Sequence, residues 1–377
     1  MIHRVLTTTD YNNHNDEVLM PILHKTLSVL LISLLTLLSA CSFEQTTAEN
    51  REREINSEQT VTKEQINQNL SSKRQFNPTL GDTWIGNGIS YGAYRDGESP
   101  DESLTAASDI LEDMQILLPR WQLIRLYGAD QQAENILKVI VDNELPIRVM
   151  QGIWLDAHKS PEQNEAQVTK AIELANKYPD IVVAVNVGNE ILVDWAYHRI
   201  EDVDYVIDKI RQVRNSITQP VTVSDDYNFW NKPHAEKVAN ELDFICLHAY
   251  AFWNNKPLDI AMQWTVEIYD GIQSLYPNHT IAYCETGWPT SRIYNDGSYE
   301  GGLVGIAGEQ EQLRFFQEYN AWATENKVIS FYFSSFDENW KGGFDGDNPM
   351  AKAEKHWGLF KADRSSKLAL QAGDKTD

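Results

Sequence analysis

The chain has 377 residues, of which 42% are hydrophobic, so it can bury the core of one large globular domain. Its formal net charge of −23 disfavours binding to nucleic acid and electrostatic docking on anionic lipid, because both of those partners are negatively charged. A field of this sign suits a neutral substrate.

The N-terminal segment has the pattern of an export signal. His24 and Lys25 precede an apolar stretch, residues 27–38, which is too short to span a bilayer as a helix. We therefore expect residues 1–40 to form a signal peptide, with Met20 as the start of translation.

The apolar stretch ends in the sequence Leu-Ser-Ala-Cys at positions 38–41, which resembles a bacterial lipobox. The resemblance implies cleavage before Cys41 and lipidation of that residue, and Ser42 at the next position implies sorting to the outer membrane. Residues 41–78 contain almost no large apolar side chains, so we expect the lipidated Cys41 to be followed by a disordered tether. We expect residues 79–377 to form a single folded domain.

From about residue 84 the sequence alternates short β-branched or aromatic runs with longer amphipathic stretches. This alternation predicts right-handed βαβ units and a parallel sheet. Eight such units fit a (β/α)8 TIM barrel of the α/β class better than an open sheet, and no glycine-rich phosphate loop follows the first strand to suggest a dinucleotide-binding fold. The predicted strands are residues 85–91, 123–127, 147–153, 181–187, 221–224, 244–248, 280–284 and 329–334. The predicted helices are residues 103–118, 131–143, 161–178, 203–217, 233–242, 259–275 and 309–326.

Two glutamates stand at the ends of strongly apolar predicted strands. Glu190 ends the run 181–190, and Glu285 ends the run 280–285. Carboxylates are costly to bury, and in a barrel the ends of parallel strands open onto the face that carries the active site. A pair of carboxylates at that face is what hydrolysis of a glycosidic bond requires.

Tryptophan is concentrated where an active site is expected. Of eleven tryptophans, six follow the C-terminal end of a predicted strand. Sugar rings stack on indole faces, so these side chains favour a carbohydrate-binding cleft; the alternative is that they cover the top of the core. The six are Trp154, Trp195, Trp230, Trp253, Trp288 and Trp340.

The sequence predicts neither a disulfide in the domain nor a bound metal. If Glu285 and Tyr250 face the barrel interior, strand alternation places Cys284 outside and Cys246 inside, too far apart to bond. No cluster of histidine and cysteine has metal-ligand spacing, and residues 345–348 are expected to form a turn rather than a calcium loop. We expect no cofactor.

Two motifs resemble those of glycoside hydrolase family 17. Val-Gly-Asn-Glu at positions 187–190 is similar to its acid/base motif, and Glu-Thr-Gly-Trp-Pro at positions 285–289 is similar to its nucleophile motif. The resemblance covers about residues 81–362. It implies a barrel enzyme that acts on β-1,3-glucan, as a hydrolase or as a glucan-remodelling transferase, with retention of anomeric configuration.

The resemblance and the residues together assign the central roles. Glu285 is the expected nucleophile, kept ionised by donors among which Arg125 and Tyr250 are the best candidates, and Glu190 is the expected acid/base. Asn189 is expected to bind the 2-hydroxyl of the sugar under attack. His248 is expected to be a hydrogen-bonded barrel residue rather than a base.

Other residues are expected to contact the remaining sugars. Either Asp225 or Asp226 should contact a sugar, and we predict that Asp226 does. Glu338 is a further candidate for sugar binding, and its alternative role is that of a structural partner of Lys341. The long loop 291–308 could wall off one end of the cleft or shield the intermediate from water. The further substrate-binding candidates are Tyr91, Trp288, Glu338, Trp340 and Lys341.

The leading hypothesis is a monomeric, lipid-anchored, retaining and endo-acting hydrolase of laminarin-like β-1,3-glucan. Alternatives within enzymes are a β-1,3-glucanosyltransferase, an exo-β-1,3-glucanase, and a barrel glycosidase acting on β-mannan or β-1,4-glucan. The non-enzymatic alternative is a surface glycan-binding lipoprotein, which would have no need for two neighbouring carboxylates.

Overall fold

The computed structural model of the protein describes residues 73–100, 102–294, 299–341 and 351–371. The predicted signal peptide, Cys41, most of the tether and the segment 345–348 lie outside the described residues. Within the described part, no helix is long and apolar enough to cross a membrane.

Eight parallel strands close into a barrel, which confirms the predicted (β/α)8 fold. A short antiparallel hairpin precedes the barrel and consists of β1 (Thr79–Leu80) and β2 (Thr83–Trp84). Every predicted barrel strand is present, with its ends shifted by a few residues. The barrel strands are β3 (Asn87–Ser90), β4 (Leu123–Arg125), β5 (Arg148–Ile153), β6 (Val182–Asn189), β7 (Val221–Asp226), β8 (Ile245–His248), β9 (Ile281–Glu285) and β10 (Ser330–Tyr332).

Helices connect the strands and pack around the barrel. Each predicted helix is present, although the one predicted at 233–242 is reduced to five residues. The described helices are α1 (Ala107–Leu117), α2 (Gln131–Asp142), α3 (Pro161–Lys177), α4 (Val203–Ser216), α5 (Tyr227–Trp230), α6 (Ala235–Ala239), α7 (Leu258–Leu275), α8 (Tyr299–Gly302), α9 (Glu309–Glu325), α10 (Ala351–Glu354) and α11 (Leu368–Gln371).

Local signals in the sequence explain where several helices begin. Ser160 caps α3 through a capping box with Gln163, and Pro161 occupies the first turn, where a missing N–H costs nothing. Asp130 and Asp202 cap α2 and α4 by accepting hydrogen bonds from backbone N–H groups of the first turn.

Arg74 and Phe76, which were predicted to lie in the tether, close the N-terminal end of the barrel. The ring of Phe76 is buried and stacks on Phe244 with 4.5 Å between centroids, within the cluster that fills the barrel interior. Arg74 donates to the backbone carbonyls of Arg214 and Gln219. The folded domain therefore extends N-terminally beyond the boundary predicted at residue 79, because this short segment supplies the plug of the barrel.

The prediction that Cys246 and Cys284 do not pair is wrong: they form a disulfide with 5.3 Å between their Cα atoms. The reason is a register shift between β8 and β9. Leu247 pairs with Tyr283, but His248 pairs with Glu285, so Cys284 is skipped. This β-bulge interrupts the alternation, and both Cys284 and Glu285 face the interior.

Candidate active site

A cavity of about 1170 Å³ lies at the C-terminal ends of the barrel strands. Residues that follow or end each of the eight strands contribute to its lining, which places it where barrel enzymes carry out their chemistry. Glu190 and Glu285 both line this cavity.

Glu285 is buried and receives a hydrogen bond on each carboxylate oxygen. Arg125 donates from Nη1 to Oε1 at 2.5 Å, and the Tyr250 hydroxyl donates to Oε2 at 2.6 Å. Burial by itself would raise the pKa of Glu285, but the positive charge that His248 carries at low pH, the charge of Arg125 and the hydrogen bonds from Tyr250 and Arg125 lower this pKa to about 2. Glu285 is therefore ionised at neutral pH.

Glu190 has the opposite environment. Burial, followed by the negative charges of Glu285 and Asp226, raises the pKa of Glu190 well above its usual range. Its Oε1 lies 3.0 Å from Nδ1 of His248, which is fully buried and whose pKa is lowered by burial to about 4. His248 is therefore neutral at pH 7, and it orients the Glu190 carboxyl without neutralising a charge there.

The backbone around Glu190 is turned sharply at the end of β6. Gly188 has φ of 90° and Glu190 has φ of 52°, both in the left-handed region. A Cβ at Gly188 would collide with the side chain of Ile191, so glycine is required there. The N–H of Glu190 donates to the Ser224 carbonyl at 2.8 Å, and the N–H of Leu192 donates to Asp225 at 2.8 Å.

The two glutamates lie close together. Oxygen atoms of Glu190 and Glu285 and a ring nitrogen of His248 all lie within 4.8 Å of one another, and in the described residues this is the one such grouping of potential metal ligands. Arg125 and Tyr250 already occupy both oxygens of Glu285, and the guanidinium cation would repel a metal ion. The arrangement is therefore that of two neighbouring carboxyl groups, of which Glu285 has a lowered pKa and Glu190 a raised one.

Comparison with known proteins agrees with this chemistry. Residues 88–358 match the family described as the BtgE/BtgC glycoside hydrolase domain. The chain belongs to this family. The protein is thus a glycoside hydrolase, and the resemblance seen in its motifs is confirmed.

Three similar proteins illustrate the relationship. A glucan 1,3-beta-glucosidase of Arthroderma benhamiae is 29% identical over 294 residues, which are 74% of this chain and 89% of that protein. The crystal structure of an endo-laminarinase from Formosa Hel1_33_131 has a TM-score of 0.67 and 26% identity, covering 79% of this chain and 90% of that one. A glycoside hydrolase family 17 β-1,3-glucanosyltransferase from Rhizomucor miehei has the same fold, with a TM-score of 0.61 and 22% identity over 75% of this chain and 95% of that one.

Arg125 connects Glu285 and Asn189 through its guanidinium group. It is fully buried and is not part of the cavity lining, so its predicted contact with substrate is replaced by contacts with protein. Its Nη2 donates to Oδ1 of Asn189 at 2.5 Å. Asn189 also lines the cavity, and the contact with Arg125 engages its side-chain oxygen.

Most of the other predicted substrate-binding residues line the cavity, and Trp288 does not. The indole of Trp288 is fully buried, packs on Phe252 and Phe315, and donates to the Ile306 carbonyl at 2.8 Å. It therefore belongs to the packed layer behind the cavity. The predicted residues found in the lining are Tyr91, Asn189, Asp226, Tyr250, Glu338, Trp340 and Lys341.

Glu338 and Lys341 are both cavity residues and partners of each other. Lys341 Nζ lies 2.6 Å from Glu338 Oε2, and the Trp340 indole donates to Glu338 Oε1 at 3.1 Å. The two roles considered for Glu338 are therefore compatible. Tyr91 donates its hydroxyl to the buried Asp113 at 3.0 Å, so it offers its ring rather than its hydroxyl group to the cavity.

The tryptophan prediction holds for four of the six side chains. Trp154, Trp195, Trp253 and Trp340 line the cavity, whereas Trp230, like Trp288, is fully buried. The sequence does not distinguish the lining tryptophans from the buried ones, because all six follow a predicted strand.

Two cavity residues from the C-terminal part of the chain, Glu354 and Trp357, do not follow a predicted strand. Trp357 lines the cavity and stacks edge-on against Tyr250 with 4.9 Å between ring centroids. Glu354 lies at the end of α10, and burial raises its pKa to about 7, with Lys341 lowering the pKa and Glu285 raising it. No strand directly precedes Glu354, so the pattern that located the other acids gave no signal for it.

The described residues of the loop 291–308 do not line the cavity. Arg292 donates to the carbonyls of Glu300 and Leu303, which folds the loop onto itself. Glu300 accepts from the N–H of Ala353 at 2.8 Å and so ties the loop to α10. The described part of this loop supports the outside of the site.

Proposed function

We propose that this glycoside hydrolase cleaves β-1,3-glucan with retention of configuration, through a covalent glycosyl-enzyme on Glu285 and with Glu190 as acid/base. The observation that carries this proposal is that an oxygen of Glu190 lies within 4.8 Å of an oxygen of Glu285, in surroundings that raise the pKa of Glu190 and lower that of Glu285. Retaining enzymes need the carboxyls about 5–5.5 Å apart, whereas inverting enzymes leave about 6.5–9.5 Å for a water molecule.

The first step joins the sugar to the protein. Glu285 attacks the anomeric carbon while Glu190 gives its proton to the departing glycosidic oxygen, so the leaving chain departs as an alcohol. Arg125 and Tyr250 keep Glu285 ionised and aimed. Asn189, whose side-chain oxygen is engaged by Arg125, is assigned to donate from its NH₂ group to the 2-hydroxyl of the reacting sugar, a bond that strengthens in the transition state.

The second step releases the sugar. Once Glu285 is esterified its negative charge is lost, and the pKa of Glu190 falls because part of what raised it was that charge. Glu190 then takes a proton from the incoming water, whose oxygen attacks the anomeric carbon and returns Glu285 as a carboxylate. His248, neutral and 3.0 Å from Glu190, keeps the carboxyl in place through both steps.

The proposed substrate rests on the similar proteins and on the cavity. The relatives named above act on 1,3-β-glucan according to their descriptions. In the cavity, indole faces alternate with amide and carboxylate groups, a combination that suits neutral sugar rings and their hydroxyls. The chain's net charge of −23 is also consistent with an uncharged polymer.

The positions of two exposed tryptophans in the cavity lining favour endo action. Trp195 follows the fourth barrel strand and Trp340 the eighth, so they stand on opposite sides of the barrel mouth. Both line the cavity, with exposed fractions of 59% and 37%. A cleft with an exposed indole on each side can accommodate a chain that continues in both directions.

We also propose export and anchoring through a lipid on Cys41, with residues 1–40 as signal peptide. The Leu-Ser-Ala-Cys sequence at positions 38–41 supports this proposal. The Cys246–Cys284 disulfide supports it independently, because disulfides persist in the oxidising compartments outside the cytosol.

The test is to incubate the full-length protein with a linear β-1,3-gluco-oligosaccharide and with laminarin, beside Glu285→Gln, and to follow product lengths over time. The proposal expects internal cleavage and shorter products only, absent in Glu285→Gln. Products longer than the starting oligosaccharide would replace it with a transferase, and release of single sugars alone would replace it with an exo-enzyme. No products from either glucan would overturn the proposed substrate.

A further inference from the structure

The Cys246–Cys284 disulfide lies inside the barrel directly beneath the catalytic residues. Both cysteines are fully buried, and the bond joins neighbouring strands β8 and β9. Cys284 immediately precedes Glu285, and Cys246 lies two residues before His248. The proposed mechanism uses neither sulfur atom, so the position of the bond calls for a separate explanation.

Hydrogen bonds connect the backbone carbonyls of Cys284 and Cys246 to the side chains of Arg125 and Trp230. Arg125 Nη1 donates to the Cys284 carbonyl at 3.2 Å, and the same nitrogen holds Glu285 Oε1. The Cys246 carbonyl accepts from the Trp230 indole at 3.1 Å. The position of the Cys284 backbone therefore determines how Arg125 and Glu285 meet.

The disulfide also fixes an irregular backbone. Regular alternation along β9 would allow either Cys284 or Glu285 to face the interior, but not both. Ala282 and Cys284 face the interior by regular alternation, and the bulge at Cys284 turns Glu285 inward as well, while the bond to Cys246 anchors Cys284 at this irregular step. Without the bond, Cys284 is free to shift into regular pairing with His248, which would turn Glu285 outward.

Return to regular pairing would move the Glu285 backbone relative to β8. The rise of a strand is about 3.3 Å per residue, and even a fraction of that step exceeds what hydrogen bonds can absorb. The bonds at risk are those from Arg125 and Tyr250 to Glu285, at 2.5 and 2.6 Å. These bonds orient the nucleophile and hold its pKa low.

We propose that the Cys246–Cys284 disulfide is a positioning element of the nucleophile, so that full turnover requires the oxidised protein. The proposal rests on the proposed function, since it concerns the same Glu285. It also links activity to export, because the bond forms only where an oxidised thiol–disulfide exchange partner accepts the two electrons and two protons released by the thiols.

The test compares full-length protein with the double variant Cys246→Ala/Cys284→Ala. The expected result is a fall in kcat of about 10- to 100-fold with KM changed by less than about twofold, since misplacement of a reacting group mainly slows the chemical step. The acid limb of the pH profile of kcat/KM should move to higher pH, because the contacts that lower the pKa of Glu285 loosen. A bond that only stabilises the fold would lower the melting temperature and leave kcat and the acid limb unchanged; that result overturns the proposal.

A matched control removes volume from the same interior cluster without breaking a covalent link. Leu123→Val on β4 does this two residues before Arg125, and it should lower the melting temperature slightly with kcat unchanged. If the double-alanine protein does not fold, Cys246→Val with Cys284→Ala, which refills most of the space, is measured in its place.

The bond itself is checked by mass spectrometry after alkylation of the unfolded protein. Two alkylated cysteines in active wild-type enzyme, beyond any at Cys41, would overturn the positioning proposal whatever the variants do. Failure of the wild-type enzyme to cleave β-1,3-glucan would instead count against the proposed substrate, while the mass measurement would still report on the bond.

Discussion

Nη1 of Arg125 lies 2.5 Å from Oε1 of Glu285, and both side chains are buried at the top of the barrel. The second terminal nitrogen of the same guanidinium reaches Asn189. One rigid, planar cation therefore aligns the proposed nucleophile and the proposed 2-hydroxyl ligand, which lie on different strands. A planar fork suits this task better than a point charge does.

Replacement of Arg125 by lysine tests this alignment. Arg125→Lys keeps the positive charge but cannot reach both acceptors, so we expect kcat/KM to fall by about 100-fold, in line with the loss of charge-assisted hydrogen bonds of 1.5–3 kcal/mol. The acid limb of the pH profile should shift to higher pH as Glu285 is held less firmly. Arg148→Lys is the control, because Arg148 begins β5 at the end of the barrel opposite the cavity. This variant should leave kcat/KM and the acid limb unchanged. A kcat/KM for Arg125→Lys within about threefold of wild type would contradict the role given to Arg125.

Glu190→Ala separates the two steps of the mechanism. Without the acid, substrates whose leaving groups need a proton should be slowed most, and substrates with activated leaving groups should still form the glycosyl-enzyme. Azide should then accelerate turnover of the activated substrates, because a small anion fits the space of the lost carboxylate and needs no general base. We expect a β-glycosyl azide, identified by nuclear magnetic resonance. An α-azide would mean inversion and would contradict retention.

The Glu190 carboxyl group should also destabilise the folded protein at neutral pH. Its pKa is raised in the folded protein above the unfolded value of about 4.3, so between these two values the folded state binds more protons and stability falls as pH rises. Glu190→Gln removes this dependence, so its melting temperature should exceed that of wild type by an amount that grows as pH rises above about 4.3. Thermal unfolding measured across the pH range checks this. A constant difference between the two proteins would show that Glu190 titrates normally.

The sequence predicted the barrel and the convergence of Glu190 and Glu285 on one face because both depend on local, repeating patterns. Apolar strands spaced by amphipathic helices define the fold, and Glu190 and Glu285 stand at strand ends where burial of a carboxylate needs a reason. The disulfide depended on a one-residue bulge at Cys284, which strand alternation cannot reveal. Glu354 and Phe76 reach the barrel from segments outside the repeating units, so only the tertiary structure places them.

The exposed indole of Trp195 should matter for long substrates. It lines the cavity on the side of β6, so Trp195→Ala should lower kcat/KM on laminarin by about 10-fold, equivalent to a stacking contact of 1–2 kcal/mol. Short oligosaccharides that do not reach this position should be cleaved at the wild-type rate. Tyr197→Ala is the matched control, because Tyr197 is an 82% exposed aromatic on the same loop that is not part of the cavity lining. Equal losses on long and short substrates would place Trp195 outside the binding path.

The plug at the N-terminal end of the barrel should contribute strongly to stability and little to chemistry. Phe76 fills the interior against Phe244, so Phe76→Ala should lower the free energy of unfolding by about 3 kcal/mol, the lower part of the range for buried phenylalanine because the segment lies near the edge of the fold. Denaturant unfolding of the full-length variant measures this loss, with kcat taken well below the melting temperature and expected to be unchanged. Gln75→Ala, at the exposed neighbouring position, should unfold like wild type. If Phe76→Ala were equally stable, the segment 73–78 would be a tether after all, and the domain boundary read from the sequence at residue 79 would stand.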